Sequence, residues 1–464
     1  MANLRIIASN AARRATLAAS STAGLLGVAN LVADKKSDVW RVTGTSARIT
    51  GTLPAAEPAS GVALLGNFSP TATMRVRLSN EDATTNLIRY SEQLDNAAWG
   101  RGSTTISPNA TRAPDGTMSA DKMVDTSASG AHFLFQSVAG FTTGQKFAFS
   151  IFAKAAERSI ICLRLDASST ALGGESNAYL NLMTGAVTGV TGGHAYQATP
   201  LPGGWWRFGV TGTTAAAGAI CPLVMLATSG TDYNFTGNGS SGLYVWGGML
   251  NVGPLSSYYP ATDSPGVRPQ GFIDAWQSYD CDTGVAPACP APAIVLEGWT
   301  AAQSAGAYAY GGGAYARAWF PATQFRAFAI DLVDTNNLQG YIEASKLVIG
   351  EYWSPPYGVS AASYTDVDSA THYSTDAGDL LSRASTISKE VAIDLGALAP
   401  ADRAKFGAIL RASRAYPIFV SVFDGHADLE LERAHTVLGK RMSDSEVALQ
   451  AALRYGAKIT VRSI

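Results

Sequence analysis

The chain has 464 residues, too many for one ordinary core, so about two to four domains are expected at roughly 100–200 residues each. A formal net charge of −2 excludes the basic footprint that nucleic acid or an anionic membrane surface demands. Only 15% of residues are charged beside 47 glycines, which argues for an all-β, turn-rich protein over a helical or disordered one.

Near the start, Arg13-Arg14 followed by ATLAASSTAGLLGVANLVA imitates an export signal. Ser20, Ser21, Thr22 and Asn30 interrupt the apolar run, which is too polar for a spanning helix. With Met1 retained, we expect strand and loop of a first domain there. Short strands follow in 38–53 (DVWRVTGTSARITGTL), 62–68 (VALLGNF) and 73–80 (TMRVRLSN). In the last, Met74, Val76 and Leu78 alternate with Arg75, Arg77 and Ser79, the period of a strand with one wet face. Three or four strands cannot bury a sandwich core alone, so their partners must lie elsewhere.

A run opening at Asn86 as NLIRYSEQLDNAAW closes near Thr262 as GLYVWGGMLNVGPLSSYYPAT. Between them lie RAPDGTMSADKM (112–123), KFAFSIFAKAAERS (146–159) and GGWWRFGVTGT (203–213). In this order the motifs resemble the β-sandwich, carbohydrate-binding-module-like domain of tail and fibre proteins of tailed bacteriophages. Relatives usually carry Gly-Trp-Tyr-Arg where this chain has Gly204, Trp205, Trp206 and Arg207. They end in Ala-Gln-Leu-Glu where it has Gly248, Met249, Leu250 and Asn251, without the acidic side chain.

Aromatic residues gather in the second half of this run: Trp205, Trp206, Tyr233, Phe235, Tyr244, Trp246, Tyr258 and Tyr259. Sugars stack on flat aromatic faces and need polar partners for their hydroxyls. The candidate ligand-binding set is therefore Trp205, Trp206, Arg207, Tyr233, Trp246 and Tyr258, each weighed against a place in the core. Adjacent Trp205 and Trp206 must point to opposite faces of a strand, one toward a core and the other outward. Cys162 and Cys221 sit in apolar runs, SIICLRL and AICPLVML, as buried thiols.

Beyond the run, Pro-rich segments at 264–269 and 285–293 are the linker candidates. Cys281 and Cys289 bracket a Gly/Pro loop and could close a short disulfide or remain thiols. The missing strands appear in 314–320 (AYARAWF), 323–334 (TQFRAFAIDLVD) and 340–353 (GYIEASKLVIGEYW). Alternation would place Phe325, Ala327, Ala329 and Asp331 on one face, with Arg326, Phe328 and Ile330 on the other. Paired with the strands before Asn86, these form one discontinuous jelly roll that resembles galactose-binding-like domains.

From Ser360 the character changes to a polar stretch, a strand in SKEVAIDLGAL, and then a helix. In that helix Phe406, Ile409 and Leu410 share a face after Pro400 and Asp402. PIFVSVFDG, ended by Asp424-Gly425, and AKITVRSI read as buried strands. This layout, with the phrases YIEASKLVIGEYWSP and YPIFVSVF, resembles the α+β split-barrel domain of phage tail tube and distal tail proteins. The expected organisation is thus mainly β. A jelly roll spans 1–84 and 263–355, a β-sandwich is inserted at 85–262, and an α+β tail-assembly domain covers 356–464.

Little in the chain suits catalysis. His132, His194, His372, His426 and His435 stand singly, read as structural histidines. The glycine clusters at 237–242 and 311–313 lack the Lys or helix of a phosphate cradle. Asp331 with Asp334, and Asp376 with Asp379, suit a structural calcium ion or, more simply, turn caps and solvated loops. No zinc site, cofactor motif or long β-helical stretch is legible.

The resemblances together imply a non-enzymatic structural component of a phage tail tip or baseplate, located in the virion. Its partners would be other tail or baseplate proteins, copies of itself in a trimeric or hexameric ring, and host-surface glycan bound by the inserted sandwich. No nucleic acid and no membrane insertion are implied. The alternatives are a secreted non-catalytic carbohydrate-binding protein and, with less in its favour, a glycan hydrolase.

Overall fold

A computed structural model describes residues 4–463 except 36, 70, 271, 275, 278, 290–314, 338, 369, 377, 384–386, 415, 443, 444, 452 and 453. The glycines at 311–313 and residues 290–293 of the 285–293 linker candidate lie outside the described residues. The chain is mainly β with antiparallel pairing, and none of its sheets closes into a barrel among the described residues. It divides into two compact units, one of Met1–Asn80 with Ser278–Ile464 and one of Glu81–Gln277.

In the first unit, strands from before and after the insertion alternate within one sheet. Its order is Cys281–Asp282, Thr73–Ser79, Tyr315–Val333, Ser46–Gly66, Glu343–Gly350 and Trp40–Arg41. Neither flank could complete this sheet without the other. The run expected at 38–53 divides into Trp40–Arg41 and the start of one strand through 46–66 that takes in most of the 62–68 run, and the runs at 314–320 and 323–334 also merge into one.

Long antiparallel pairing between them carries the strands past Pro54 and Pro58. Pro54 falls between Thr52 and Glu57, where the register against Ala327 and Phe325 shifts. The same bulge corrects the expected face assignment. Phe325 joins Phe328, Ile330 and Leu332 in one core with Val62, Leu64, Val76 and Leu78, so the alternation of this strand breaks beside the register shift between Phe325 and Ala327.

A second sheet of this unit runs Tyr352–Trp353, Arg5–Ile7, Ile418–Ser421, Thr436–Arg441, Arg454–Ser463, Ile387–Leu398 and Ala361–Asp368. The N-terminal strand thus pairs within the C-terminal sheet and not with the other N-terminal strands. The helix Pro400–Ala412 has Pro at its first position and buries Phe406, Ile409 and Leu410 against this sheet, as their spacing dictates. A short helix not apparent from the sequence, Leu429–Ala434, is capped by Asp428, whose side chain accepts from the Glu430 and Leu431 amides.

Period-two alternation sends neighbouring residues to different cores. Ile6, Ile418 and Val420 face the helix side, while Ile7, Phe419 and Leu438 pack with Ala63, Leu65, Tyr315 and Val348 from the first sheet. Both faces of these strands are buried, which explains why PIFVSVF and GVALLG read as unbroken apolar runs.

Charges follow the same seam. Arg317 Nε donates to Asp424 Oδ1 at 3.1 Å and its guanidinium also pairs with Glu432. Arg5 meets Asp424 at 2.7 Å, and Trp319 Nε1 donates to the same carboxylate at 2.6 Å.

Of the two acidic pairs, the first is held by protein partners. Asp331 is held by Arg48 at 2.6 Å and by Arg77. Asp334 is buried and accepts from Ser69 and from Asn337 Nδ2. Neither is a solvated turn cap. Asp376 and Asp379 are exposed in the turn that joins Thr371–Ser374 to Leu380–Arg383. Cys281 and Cys289 are buried free thiols, so the short disulfide does not form, and Cys162 and Cys221 are buried thiols as well.

The second unit is a sandwich of two six-stranded sheets. One runs Val187–Thr191, Ser176–Asn181, Ile160–Leu165, Pro222–Ala227, Phe133–Phe135 and Gly100–Gly102. The other runs Ala195–Leu201, Trp205–Thr213, Lys146–Lys154, Gly242–Val252, Ala120–Asp125 and Thr104–Thr111. Phe147, Phe149, Ile151, Phe208, Val210, Ile161, Leu163 and Val224 fill the space between them.

Its two ends lie side by side, because Thr84–Asn86 pairs antiparallel with Gly266–Arg268. Buried Arg268 latches this neck through Glu81 at 2.6 Å and the Asp82 carbonyl at 2.8 Å. In the first unit the Asn80 amide donates to Asp280 at 2.6 Å, so the chain also leaves and returns at neighbouring points there.

Candidate functional site

The sequence candidates divide between three places in the sandwich. Trp205, Trp246 and Tyr258 come together with Phe152, Met249, Ala113 and Ala120 on the outer face of the sheet that contains Lys146–Lys154. Ring centroids there lie 5.0 Å apart for Trp246 and Tyr258, and 5.4 Å for Phe152 with either of them. Trp276, which the sequence reading passed over, closes the cluster at 5.7 Å from Trp246. Its segment follows the sandwich strands, so no strand periodicity flagged it.

Exposures of 3%, 1% and 2% for Trp205, Trp246 and Tyr258 leave no ring face for a sugar. Their polar tips are bonded internally as well. Trp205 Nε1 donates to the Arg112 carbonyl at 3.2 Å and Trp246 Nε1 to Ser119 Oγ at 3.0 Å. The Tyr258 hydroxyl donates to Glu92 Oε1 at 3.2 Å and lies 2.9 Å from Ser91 Oγ.

Burial carries the Tyr258 hydroxyl well above its ordinary pKa. It also raises the Glu92 carboxyl, a shift to which the charge of Asp115 adds while the Tyr258 hydroxyl opposes it. Arg207 lies against Phe152, donates to Ser150 Oγ and to the Ser256 carbonyl at 2.7 Å, and is pulled down to about 10 by desolvation. This group is a second core with a structural arginine.

Trp206 points to the opposite face, as adjacency requires, but that face is also packed. Its indole joins the sandwich core and donates to the Leu182 carbonyl at 2.9 Å. It covers Gly185, at φ 76°, where a Cβ would come within 2.1 Å of the ring. Tyr233 lies on the outer face of the other sheet, stacked on Tyr179 with centroids 6.4 Å apart and bonded to Arg164. The six candidates therefore form no single surface.

A different feature does form one. An open cleft of about 950 Å³ lies at the end of the sheet where Ala195–Leu201, Trp205–Thr213 and Lys146–Lys154 run side by side. Lys146 pairs with Thr213 and Ala195 with Thr211, so the alternation brings Lys146, Gln197, Thr211 and Thr213 onto one face. Glycines at 173, 174, 192 and 193 form part of the rim, and Glu175 and His194 follow the two doublets.

The His194 ring lies on Gly212, where a Cβ would approach Cδ2 to 2.2 Å, and 5.6 Å from the Phe147 ring. His194 Nδ1 is buried without a hydrogen-bond partner, and burial lowers the imidazole below its ordinary pKa. The cleft thus offers neutral hydrogen-bonding groups, one ammonium and a carboxylate, on walls kept open by glycine.

Of the cleft's polar side chains the sequence reading named only His194, and as a structural histidine. The paired glycine doublets, each followed by a titratable residue, were the available signal. Among the described residues, no group of three His, Cys, Asp or Glu side chains is placed to hold a metal ion. No helix among them is long and apolar enough to cross a membrane.

No protein-family model matches the sequence, and no curated protein does. Among solved structures the chain is similar to the enzymatically active domain of tailspike protein 4 of bacteriophage CBA120, at 10% identity and a TM-score of 0.24. That likeness covers 36% of this chain and 21% of the tailspike domain, about a fifth of its length. It is also similar to a truncated AlyQ with CBM32 and alginate lyase domains, at 10% identity and a TM-score of 0.13, over 73% of this chain and 96% of that one. These are weak neighbours from phage-tail and carbohydrate-binding proteins, and likeness at this level carries no argument about what the chain does.

Proposed function

We propose that the chain is a non-catalytic structural component of a phage tail tip or baseplate whose inserted sandwich binds host-surface glycan. The observation that carries this reading is the architecture of the insertion. The sandwich has a complete core of its own, its ends are zipped together at Thr84–Asn86 and Gly266–Arg268, and it interrupts a body whose sheet needs both flanks. A module attached in this way can be exchanged without disturbing the body, as suits a part that must follow a changing receptor.

In this reading the body, a jelly roll with a split-barrel-like assembly region, docks with other tail or baseplate proteins and with copies of itself in a trimeric or hexameric ring. The motif order quoted above for 85–262 and for the region after Ser360 supports it. The cleft beside Lys146 is the surface offered to glycan. No cofactor is needed for such a role.

Immunogold labelling with an antibody against residues 85–262 tests the proposal on virions produced with this chain. Label confined to the tail tip, with antibody blocking adsorption to host cells, is the expected result. A purified chain that stays monomeric and is absent from virions would sink it.

A further inference from the structure

We infer that the cleft takes a carboxylate-bearing oligosaccharide, with the Lys146 ammonium as its cationic anchor. The inference rests on the reading of the inserted sandwich as a glycan-binding module and names the class of glycan.

Charge carries the argument. The formal charges lining the cleft belong to Lys146 and Glu175. Glu175 already has a partner, the Arg164 guanidinium at 2.8 Å. The Lys146 side chain is exposed and makes no ion pair or hydrogen bond among the described residues, so its ammonium is left for an incoming anion. His194 adds no charge near neutrality, because its imidazole is already less basic than usual. A cleft with one unsatisfied positive charge, on a chain whose net charge is −2, selects an anion locally where the whole protein would repel one.

The rest of the wall selects what carries that anion. Gln197, Thr211 and Thr213 provide uncharged groups that both donate and accept, which matches vicinal hydroxyls. The one ring of phenylalanine, tyrosine or tryptophan in the lining, Phe147, is fully buried, so recognition there is polar and does not depend on stacking. A volume of about 950 Å³ admits several sugar units, and its open form suits a chain passing through. An acidic peptide would meet the same lysine but would leave the row of hydroxyl-complementary groups without use.

The test uses the full chain with polygalacturonate, hyaluronate and polysialic acid, each beside its carboxyl-reduced, uncharged counterpart, and polyglutamate as a peptide polyanion. Binding is measured by interferometry on immobilised polymer. We expect retention on at least one acidic glycan, a loss of about tenfold in affinity for Lys146→Gln, and weakening with salt. Gln197→Ala should weaken the same glycan while its binding remains salt-dependent.

Equal retention of the carboxyl-reduced polymers, unchanged by Lys146→Gln, would overturn the acid preference and leave glycan binding standing. Polyglutamate held as tightly as the acidic sugars would overturn the sugar specificity. No retention on any polymer would overturn this inference together with the glycan-binding reading.

Discussion

Asp424→Ala should unfold the first unit far more readily than the position of this residue at a strand end suggests. One carboxylate serves Arg5 at 2.7 Å, Arg317 at 3.1 Å and the Trp319 indole at 2.6 Å. Arg317 is only 3% exposed and its other partner, Glu432, only 1%. Burial pulls the Arg317 guanidinium below its ordinary pKa even with Asp424 raising it, a sign of how far desolvation weighs there.

Breaking a buried pair costs about 3–5 kcal/mol, and the orphaned indole about 1–3 more where no water replaces the carboxylate. These terms overlap, so a loss of about 4 kcal/mol is expected. With a urea slope near 3 kcal/mol/M, the midpoint of this unit should fall by roughly 1–2 M. Hydrogen exchange resolved by peptide, along a urea series, separates the two units, and peptides of Glu81–Gln277 should keep their protection. Replacing Arg317 with Met and Glu432 with Leu together should cost less than either change alone, since neither charge is then stranded. A loss under about 1 kcal/mol for Asp424→Ala, or an equal shift in both units, would refute this account.

Three further outcomes follow from the sandwich and the thiols. Trp246→Ala should destabilise the sandwich by about 3–5 kcal/mol, read as a lower thermal midpoint for its peptides, because the indole fills a closed aromatic cluster. If it abolished glycan binding with the midpoint unchanged, Trp246 would be a ligand contact after all. The His194 imidazole is less basic folded than unfolded, so the unfolded chain binds the extra proton and stability must fall as pH drops below the ordinary histidine value of about 6.5. Melting curves between pH 7 and pH 5 should show that fall, and His194→Gln should flatten it. The four thiols are buried, with Cys162 and Cys289 pushed up to about 12, so Ellman's reagent should find none in the folded chain and four in urea.

Where local rules suffice, the sequence and the structure agree. The helix over Pro400–Ala412 follows from the spacing of Phe406, Ile409 and Leu410 behind a proline, and Thr73–Ser79 is a strand as its alternation predicts, although the face expected to be wet is closed at Arg77 and Ser79. The strand through 46–66 defeats the same rules, because its length is set by a partner some 270 residues away that tolerates Pro54 at a register shift.

Adjacency separated Trp205 from Trp206 correctly, yet could not reveal that both faces are covered, since Tyr258 and Trp276 come from segments beyond the last long strand. The cleft was illegible for a related reason. Lys146 and Thr211 meet through strand pairing, His194 and Glu175 reach the cleft after glycine doublets, and single histidines carry no spacing signature.

The strand Arg5–Ile7 fixes the order in which the protein can be made. One of its neighbours, Ile418–Ser421, leaves the ribosome about 400 residues after it, an interval of roughly 20–80 s at ordinary synthesis rates. The inserted sandwich is contiguous in the chain and can finish folding during that wait. The body must remain open until Ile418–Ser421 has emerged. Early chaperone capture of residues 1–80, with the sandwich already protease-resistant, is the biosynthetic signature that this arrangement imposes.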